Sequence, residues 1–169
     1  MTIRLSKALL VLLIGLFALL VGANNIVDYE SNFAFVQHVL SMDTTFPDNA
    51  LMWRAITDET VHHAAYWLII IGELVTGGLC VLGALALLAA SRSDADRFNA
   101  AKRLAVCGLT LGFALWFFGF MTVGAEWFLM WQSQTWNGQQ AAFRFIVCIG
   151  LVLVYLNARD GELRRSPAG

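Results

Sequence analysis

Glu73, Glu126 and Arg144 are ionisable side chains that each interrupt an otherwise apolar stretch of the sequence. An ionisable group inside a membrane costs roughly 3 kcal/mol even on the mildest insertion scale, so it marks a function or a specific pairing. A guanidinium group can serve two carboxylates at once. We therefore expect Arg144 to bridge Glu73 and Glu126. A shared proton, a bound cation or a basic residue of a partner would neutralise the surplus negative charge.

Other polar residues are expected to gather above these three groups, at the outer end of a helical bundle. His62, Tyr66 and Glu73 fall on one face of the second long helix at the 3.6-residue period. The candidate polar pocket or buried ion network comprises Glu73, Glu126, Arg144, His62, Tyr66, Asn24, Asn25 and Asp28, with His38 and Asp43 in the outer loop above it. Two interpretations stay open: the network fixes the register of the helices, or it takes part in binding a ligand, a proton or an ion.

The sequence contains no pattern that is typical of a metal site, a haem site or an enzyme. Adjacent histidines on a helix point about 100° apart, so His62 and His63 cannot easily share one metal ion. No histidine lies in the membrane core, which argues against haem ligation by two histidines. Phosphate-binding loops, nucleophile elbows and CxxCH motifs are absent from the sequence. We therefore predict no metal, no cofactor and no catalytic residue, and the sequence leaves the question of an enzymatic role open.

The composition is that of a membrane protein. Hydrophobic residues make up 59% of the chain and charged residues 14%, whereas soluble domains have about 25% charged residues. The formal net charge of -1 provides no basic field for a polyanion, which excludes nucleic acid as a partner.

Four apolar stretches, taken with their flanks, are long enough to span a bilayer, which requires about 20 residues. We predict helices at about residues 5–27, 59–90, 103–131 and 140–158, with an outer cap at residues 28–58. The predicted fold class is an all-α membrane protein, a four-transmembrane-helix bundle with a long, partly helical first outer loop. Residues 1–160 form its single domain, and residues 161–169 are expected to form a short disordered cytoplasmic tail.

Small residues line the helix faces that should meet other helices. The helix face that carries Glu73 continues along the second long helix with Gly77, Cys80 and Ala84. One face of the third helix is predicted to carry Gly108, Gly112, Leu115, Gly119, Thr122 and Glu126. Because small residues let helices approach closely in lipid, both acids are expected to point at neighbouring helices rather than at acyl chains.

The first outer loop has a helical pattern of its own. Phe33, Val36, Val39 and Leu40 recur at helical spacing, which predicts a short amphipathic helix that lies at the membrane surface or caps the bundle. We expect this folded cap to help satisfy the polar groups below it through Asn24, Asn25, Asp28 and His38.

The distribution of basic residues predicts the orientation. All but two of the 11 Lys and Arg residues fall in the amino terminus, the second loop and the tail, and the exceptions are Arg54 and Arg144. By the positive-inside rule these three segments are cytoplasmic and the long first loop faces outward. Residues 1–23 also have the pattern of a signal peptide, but we expect the first helix to be retained.

The outer-loop block "NNIVDYESNFAFVQHVLSMDTTF" (residues 24–46), "WRAIT" after it and Glu73 in "IIIGELVTGGLCVLGA" carry a family resemblance. Over nearly its whole length the chain resembles the bacterial family of predicted small integral membrane proteins catalogued as domain of unknown function 2165. The resemblance implies a four-helix, multi-pass protein of the bacterial inner membrane with the polar block outside, and the distribution of basic residues places both termini in the cytoplasm. It implies no particular activity.

Two functional classes follow from these observations. In the first, the protein is a non-catalytic accessory or stabilising subunit of a larger respiratory, photosynthetic or transport complex, or it forms a homo-oligomer in the bilayer. The aromatic residues expected to form the contact surface are Phe33, Phe35, Trp53, Trp127, Trp131 and Trp136. In the second class, the outer polar pocket binds a small ligand, a cation, a proton, or the head group of a lipid or a quinone.

Overall fold

The computed structural model describes residues 1–163, and every regular element in that range is a helix. The helices are α1 (Thr2–Val27), α2 (Tyr29–Ser41), α3 (Glu59–Ala89), α4 (Ala95–Ala100), α5 (Arg103–Ala114), which continues as a π-helix (Leu115–Trp127), and α6 (Gln139–Asn157). Two short 3-10 helices, Met52–Arg54 and Met130–Gln132, lie in the loops. Four segments are long and apolar enough to cross a membrane: Thr2–Val27, Glu59–Ala89, Ala95–Trp127 and Gln139–Asn157. The predicted all-α fold with four spans is confirmed. Of the expected disordered tail, residues 164–169 lie outside the described residues.

The four spans pack as a closed ring in which α1 contacts α3 and α6, and α5 contacts the same two helices. Glycines bring the backbones together at both surfaces of α3. A Cβ on Gly77 would lie 2.9 Å from the carbonyl oxygen of Gly15 in α1. A Cβ on Gly83 would lie 2.5 Å from the amide nitrogen of Ala105 in α5. The helix surfaces therefore meet at the small residues, as their pattern indicates.

The third span changes its winding at Leu115, where the α-helix gives way to the π-helix. Gly108 and Gly112 lie before this point and pack against α3 as predicted. Past it, a Cβ on Gly119 would find open space, and Glu126 is exposed. A π-helix has more residues per turn than an α-helix, because its hydrogen bonds join residues five apart, so positions beyond Leu115 rotate away from the predicted face. The expectation that Glu126 points at a neighbouring helix is wrong for this reason.

The first outer loop folds back on the bundle as a cap. The apolar face of α2, formed by Phe33, Val36, Val39 and Leu40, is buried as predicted. It packs with Tyr66 of α3 and with the end of the third span in one apolar cluster. Side chains also tie the cap to the second outer loop: the Thr44 hydroxyl donates to Ser133 Oγ (2.9 Å), and the amide of Phe46 donates to Gln132 Oε1 (3.0 Å).

The opposite end of the bundle holds a buried network of charges, which we call the inner-end network: Arg4, Lys7, Lys102 and Asp160. Lys7 Nζ and Lys102 Nζ each lie 2.6 Å from Asp160 Oδ2, and both lysines also donate to the carbonyl oxygen of Ala158. The Arg4 guanidinium stacks over a buried phenylalanine of α4 and donates to carbonyl oxygens of the loop before α4. The amino terminus, the second loop and the segment after α6 therefore meet at one end of the bundle.

Two residues that the sequence assigns to the disordered tail are hydrogen-bonded at the same end of the bundle. The carbonyl oxygen of Gly161 accepts a hydrogen bond from Arg4 Nη2 (2.8 Å). Glu162 Oε1 accepts one from the amide of Ala95 at the start of α4 (3.0 Å). The beginning of the predicted tail is thus bound to the bundle.

Candidate functional site: a polar cavity beneath the outer cap

Glu73 lies in the middle of α3 with only 2% of its surface exposed. Its Oε2 accepts a hydrogen bond from Asn25 Nδ2 of α1 (2.8 Å). Within residues 1–163, Glu73 makes no ion pair with a basic side chain. A carboxylate has about four acceptor sites, and most of those on Glu73 receive no donor from the described residues.

Asn25 connects Glu73 to the cap and to α3. Its side-chain oxygen accepts a hydrogen bond from Asn32 Nδ2 in α2 (2.8 Å), and its carbonyl oxygen accepts one from the Tyr66 hydroxyl (3.2 Å). Because the side-chain oxygen of Asn25 accepts from Asn32, the side-chain nitrogen of Asn25 is turned toward Glu73. The sequence-predicted residues Glu73, Asn25 and Tyr66 are therefore brought together, through backbone and side-chain bonds between three helices.

These groups line a cavity of about 410 Å³, which we call the outer cavity. This volume lies in the range of about 300–1,000 Å³ that is common for ligand pockets. Exposed polar residues of the cap and the second outer loop stand at its mouth: Ser31, Asn32, Thr135 and Asn137. Aromatic rings form much of its wall: Phe35, Tyr66, Trp116, Phe120, Trp136 and Phe145.

The outer cavity combines one acid with many aromatic faces. The rings of Trp116 and Phe145 meet edge to face with their centroids 5.3 Å apart, so this part of the wall is packed. An organic cation is attracted both by a carboxylate and by the negative faces of aromatic rings, most strongly where water is excluded. An amide nitrogen from Asn25 holds the carboxylate without neutralising it. The arrangement suits a ligand that brings a positive charge and N–H donors.

Glu126 and Arg144 do not join this site. Both side chains are exposed, and neither forms an ion pair with Glu73 or with the other among the described residues. Arg144 lies two residues after Ala142, which is buried against the bundle, and two residues along a helix correspond to a rotation of about 200°. The guanidinium is therefore on the opposite face of α6, and the expected bridge from Arg144 to the two acids is wrong.

Three further candidates lie near the outer end but outside the cavity wall. His62 Nε2 donates to the carbonyl oxygen of Ile56 (2.7 Å), which fixes the end of the outer loop. Asp28 is exposed and accepts a hydrogen bond from the Ser31 hydroxyl (2.8 Å). Asn24 is exposed as well, one position from Asn25 but on another face of α1.

The two cap residues His38 and Asp43 form a pair above the cavity. His38 Nδ1 lies 2.8 Å from Asp43 Oδ2, and the imidazole stacks on Trp136 with ring centroids 4.6 Å apart. Since Trp136 is part of the cavity wall, the pair supports that wall from outside. Within residues 1–163 the structure has no group of three or more His, Cys, Asp or Glu residues that could hold a metal ion.

Sequence reasoning missed Asn32 and most of the aromatic wall. Asn32 follows Asn25 by seven residues, a helical spacing that would have placed both amides on one face if α1 and α2 had been treated as nearly continuous helices. Trp116 and Phe120 lie in the π-helix, where the α-helical period does not predict the inward face.

One comparison with known proteins agrees with this architecture. Neither the curated proteins nor the solved structures include a match to this chain. A family model, however, matches residues 3–159, nearly the whole described bundle. The chain therefore belongs to the family described as "Predicted small integral membrane protein (DUF2165)".

Proposed function

We propose that the protein binds a small organic cation, a protonated amine, in the outer cavity. The observation that carries this proposal is the position of Glu73, which is buried at the cavity, holds a single hydrogen bond and has no basic partner among residues 1–163. A buried carboxylate is costly unless it is paired and hydrogen-bonded. An ammonium group would supply the missing charge and the missing donors together.

The proposal is tested with benzylammonium and its neutral analogue benzyl alcohol, on the purified chain in lipid nanodiscs. Binding is followed by calorimetry and by the fluorescence of the cavity tryptophans. We expect benzylammonium to bind more tightly than benzyl alcohol, and Glu73→Gln to weaken benzylammonium binding by at least about tenfold. Glu126→Gln is the matched control, because it removes an exposed acid that does not line the cavity.

Two results would overturn the proposal. One is equal affinity for the ammonium and the alcohol, since this would mean that the charge of Glu73 is not recognised. The other is a Glu73→Gln variant that remains folded and binds benzylammonium as the wild type does.

The accessory-subunit role is a second candidate, and an exposed aromatic surface at the outer end supports it. Phe46, Trp53, Trp127 and Trp131 are all exposed, Trp53 by as much as 70%. Trp53 and Trp127 meet edge to face, and Arg54 stacks on both rings. Phe33, which was expected to join this surface, is buried inside the cap.

This second candidate predicts a partner that copurifies in fixed stoichiometry from the native membrane in mild detergent. Replacing Trp53 and Trp127 by alanine should release that partner. Trp67→Ala is the control, because Trp67 is exposed on α3 outside this aromatic surface. A wild-type chain that is purified alone, or a partner that stays bound to the double variant, would contradict this role.

We further propose that the protein lies in the bacterial inner membrane with both termini in the cytoplasm and the outer cavity on the other side. The gathering of Arg4, Lys7 and Lys102 at one end of the bundle supports this orientation. In a cysteine-free background, Gln134→Cys should react with a membrane-impermeant maleimide on intact spheroplasts. Asp96→Cys should react only after permeabilisation, and the reverse pattern would contradict the orientation.

A further inference from the structure

A second concavity lies beside the outer cavity, and we call it the apolar groove. It has a volume of about 250 Å³ and is bounded by α2, α3 and the π-helix, and all of its lining residues are apolar. Leu68 and Phe118 stand at its edge with 71% and 62% of their surfaces exposed. Both residues belong to membrane-spanning segments, so the apolar groove opens toward the acyl chains of the bilayer.

The apolar groove and the outer cavity share a wall. Phe35, Val36, Ile69 and Phe120 line both of them. The rings of Phe35 and Phe120 lie with their centroids 6.2 Å apart, one on the cap helix and one on the π-helix. These two rings, with Val36 and Ile69, form the partition between a polar compartment that contains an acid and an apolar one that faces lipid.

We infer that the ligand is a membrane amphiphile, a single-chain amine whose ammonium group lies at Glu73 and whose alkyl chain passes between Phe35 and Phe120 into the apolar groove. This inference rests on the proposed function, because it assigns the ligand class of the same site. It accounts for the adjacency of an acidic, aromatic compartment and a purely apolar one. A ligand with both characters fills both compartments and enters sideways from the bilayer.

The size of the apolar groove restricts the chain. At about 250 Å³ the groove is smaller than the outer cavity, so we expect it to hold a single alkyl chain. The acid restricts the head group, since Glu73 repels a phosphate and attracts an ammonium. A single-chain amine satisfies both limits, whereas a two-chain phospholipid has one chain more than the groove takes and a phosphate that Glu73 repels.

Gly119 offers a way to fill the apolar groove without disturbing the bundle. It lines the groove, and a Cβ at this position would find no heavy atom within 4 Å. A leucine there should occupy the space of the alkyl chain. Gly78 on α3 has equally open surroundings but lines neither compartment, so Gly78→Leu is the matched control.

The test measures the affinity of butylammonium and of dodecylammonium for the chain in nanodiscs of one lipid composition. Partition of each amine into the nanodiscs is the same for every variant, so comparison between variants isolates the effect of the groove. We expect Gly119→Leu to weaken dodecylammonium binding roughly tenfold, by removing the packing contacts of the chain, and to leave butylammonium binding unchanged. Gly78→Leu should bind both amines as the wild type does, and Glu73→Gln should weaken both.

Failure of this inference differs from failure of the proposed function. If butylammonium binds in a Glu73-dependent way but Gly119→Leu leaves dodecylammonium binding unchanged, the cavity binds amines and the groove does not hold their chains. If neither amine depends on Glu73, the proposed function itself is wrong and this inference is wrong with it.

Discussion

Glu73 and Asn25 come into contact because Gly22 allows α1 to approach α3 one turn away from them. A Cβ on Gly22 would lie 2.8 Å from Leu74 Cδ2 and 3.4 Å from Glu73 Cβ. A larger residue at position 22 would displace the Leu74 side chain beside Glu73, so glycine favours the close approach that the polar contact uses. The acid accepts its hydrogen bond from Asn25 of α1, and its side chain lines the outer cavity.

Asn25→Ala should destabilise the protein more than Asn24→Ala does. The first change removes the described hydrogen bond of Glu73 and the acceptor of Asn32, and an unsatisfied buried polar group costs about 1–3 kcal/mol. The second change truncates an exposed amide in the same helix, so it serves as the control. Thermal unfolding of both variants in detergent measures the difference. Equal melting temperatures would contradict the role given to Asn25.

The residues of the cavity could be predicted only in part from the sequence. Glu73 and Tyr66 share a face at the α-helical period, and that period applies because α3 is an α-helix throughout. The prediction for Arg144 is wrong because a charge pattern indicates only which groups could pair. The orientation of α6 is determined by its buried face, where Ala142, Ile149 and Leu156 recur at seven-residue spacing. The packing of the apolar face of α6 therefore determines the direction of the Arg144 side chain.

Among the helices, α3 is the central one, because glycines at its contacts with α1 and α5 let both helices approach closely. Gly77 meets α1 and Gly83 meets α5 on different faces. Close approach of this kind contributes van der Waals packing, one of the sources of helix association in lipid, where the hydrophobic effect between helices is absent. The π-helix follows in the third span and leaves the space that becomes the apolar groove.

Gly83→Ala should destabilise the bundle, whereas Gly78→Ala should not. An added Cβ at Gly83 meets the backbone of Ala105 at 2.5–2.7 Å and forces α3 and α5 apart, and such overpacking costs about 1–3 kcal/mol. At Gly78 the added methyl group meets open space, so this variant controls for the change in helix propensity. Unfolding in mixed micelles with increasing SDS compares the two. A Gly83→Ala variant as stable as Gly78→Ala would show that this contact does not limit the packing.

Local periodicity predicted some elements well and could not predict others. The spacing of Phe33, Val36, Val39 and Leu40 identified α2, because a regular α-helix with one buried face has a clear pattern. The winding of Leu115–Trp127 had no such signal, since nearly all of its residues are apolar and any helical period fits them. The error at Glu126 follows directly from this.

In the molecule as a whole, the two ends of the bundle bury different sets of charged side chains. The outer end buries one acid with an amide and a cavity, whereas the inner-end network buries two lysines on Asp160 and an arginine on backbone carbonyl oxygens. Burial raises the pKa of the Asp160 carboxyl, but the hydrogen bonds and charges of Lys102 and Lys7 outweigh this, and the pKa ends below its ordinary value of 3.8. Asp160 thereby joins the first helix, the third span and the carboxyl-terminal segment.

Asp160→Asn should cost about 3 kcal/mol at neutral pH, because it leaves two buried lysines without their carboxylate. Since the pKa of Asp160 is lowered by folding, its contribution is complete above the ordinary pKa of 3.8 and is lost as the pH falls through the lower folded value. The gap in melting temperature between wild type and variant should therefore be constant from pH 7 to about pH 5 and shrink below about pH 4.

Asp96→Asn is the control for this prediction. The ion pair of Asp96 with Arg159 is exposed and 3.7 Å long, so its loss should change stability by less than about 1 kcal/mol at every pH. A gap between wild type and Asp160→Asn that widens as the pH falls would contradict the assignment.

The sequence predicted which segments share the inner end, but it did not predict the inner-end network. The positive-inside rule uses the number of basic residues in short loops and says nothing of their contacts. Lys7 and Asp160 lie at opposite ends of the chain, and their pairing depends on the way α1 and α6 meet. Contacts between residues so far apart in the sequence form only when the helices assemble, so no local sequence pattern predicts them.

The central claim is that the outer cavity holds an ammonium group at Glu73, and photo-crosslinking with a benzylammonium that carries a diazirine tests it most directly. We expect the label on residues that line the cavity, such as Trp116 and Trp136, with loss of labelling when unlabelled benzylammonium is added and in Glu73→Gln. Labelling that persists in Glu73→Gln, or that falls mainly on lipid-facing residues such as Leu151, would contradict the claim.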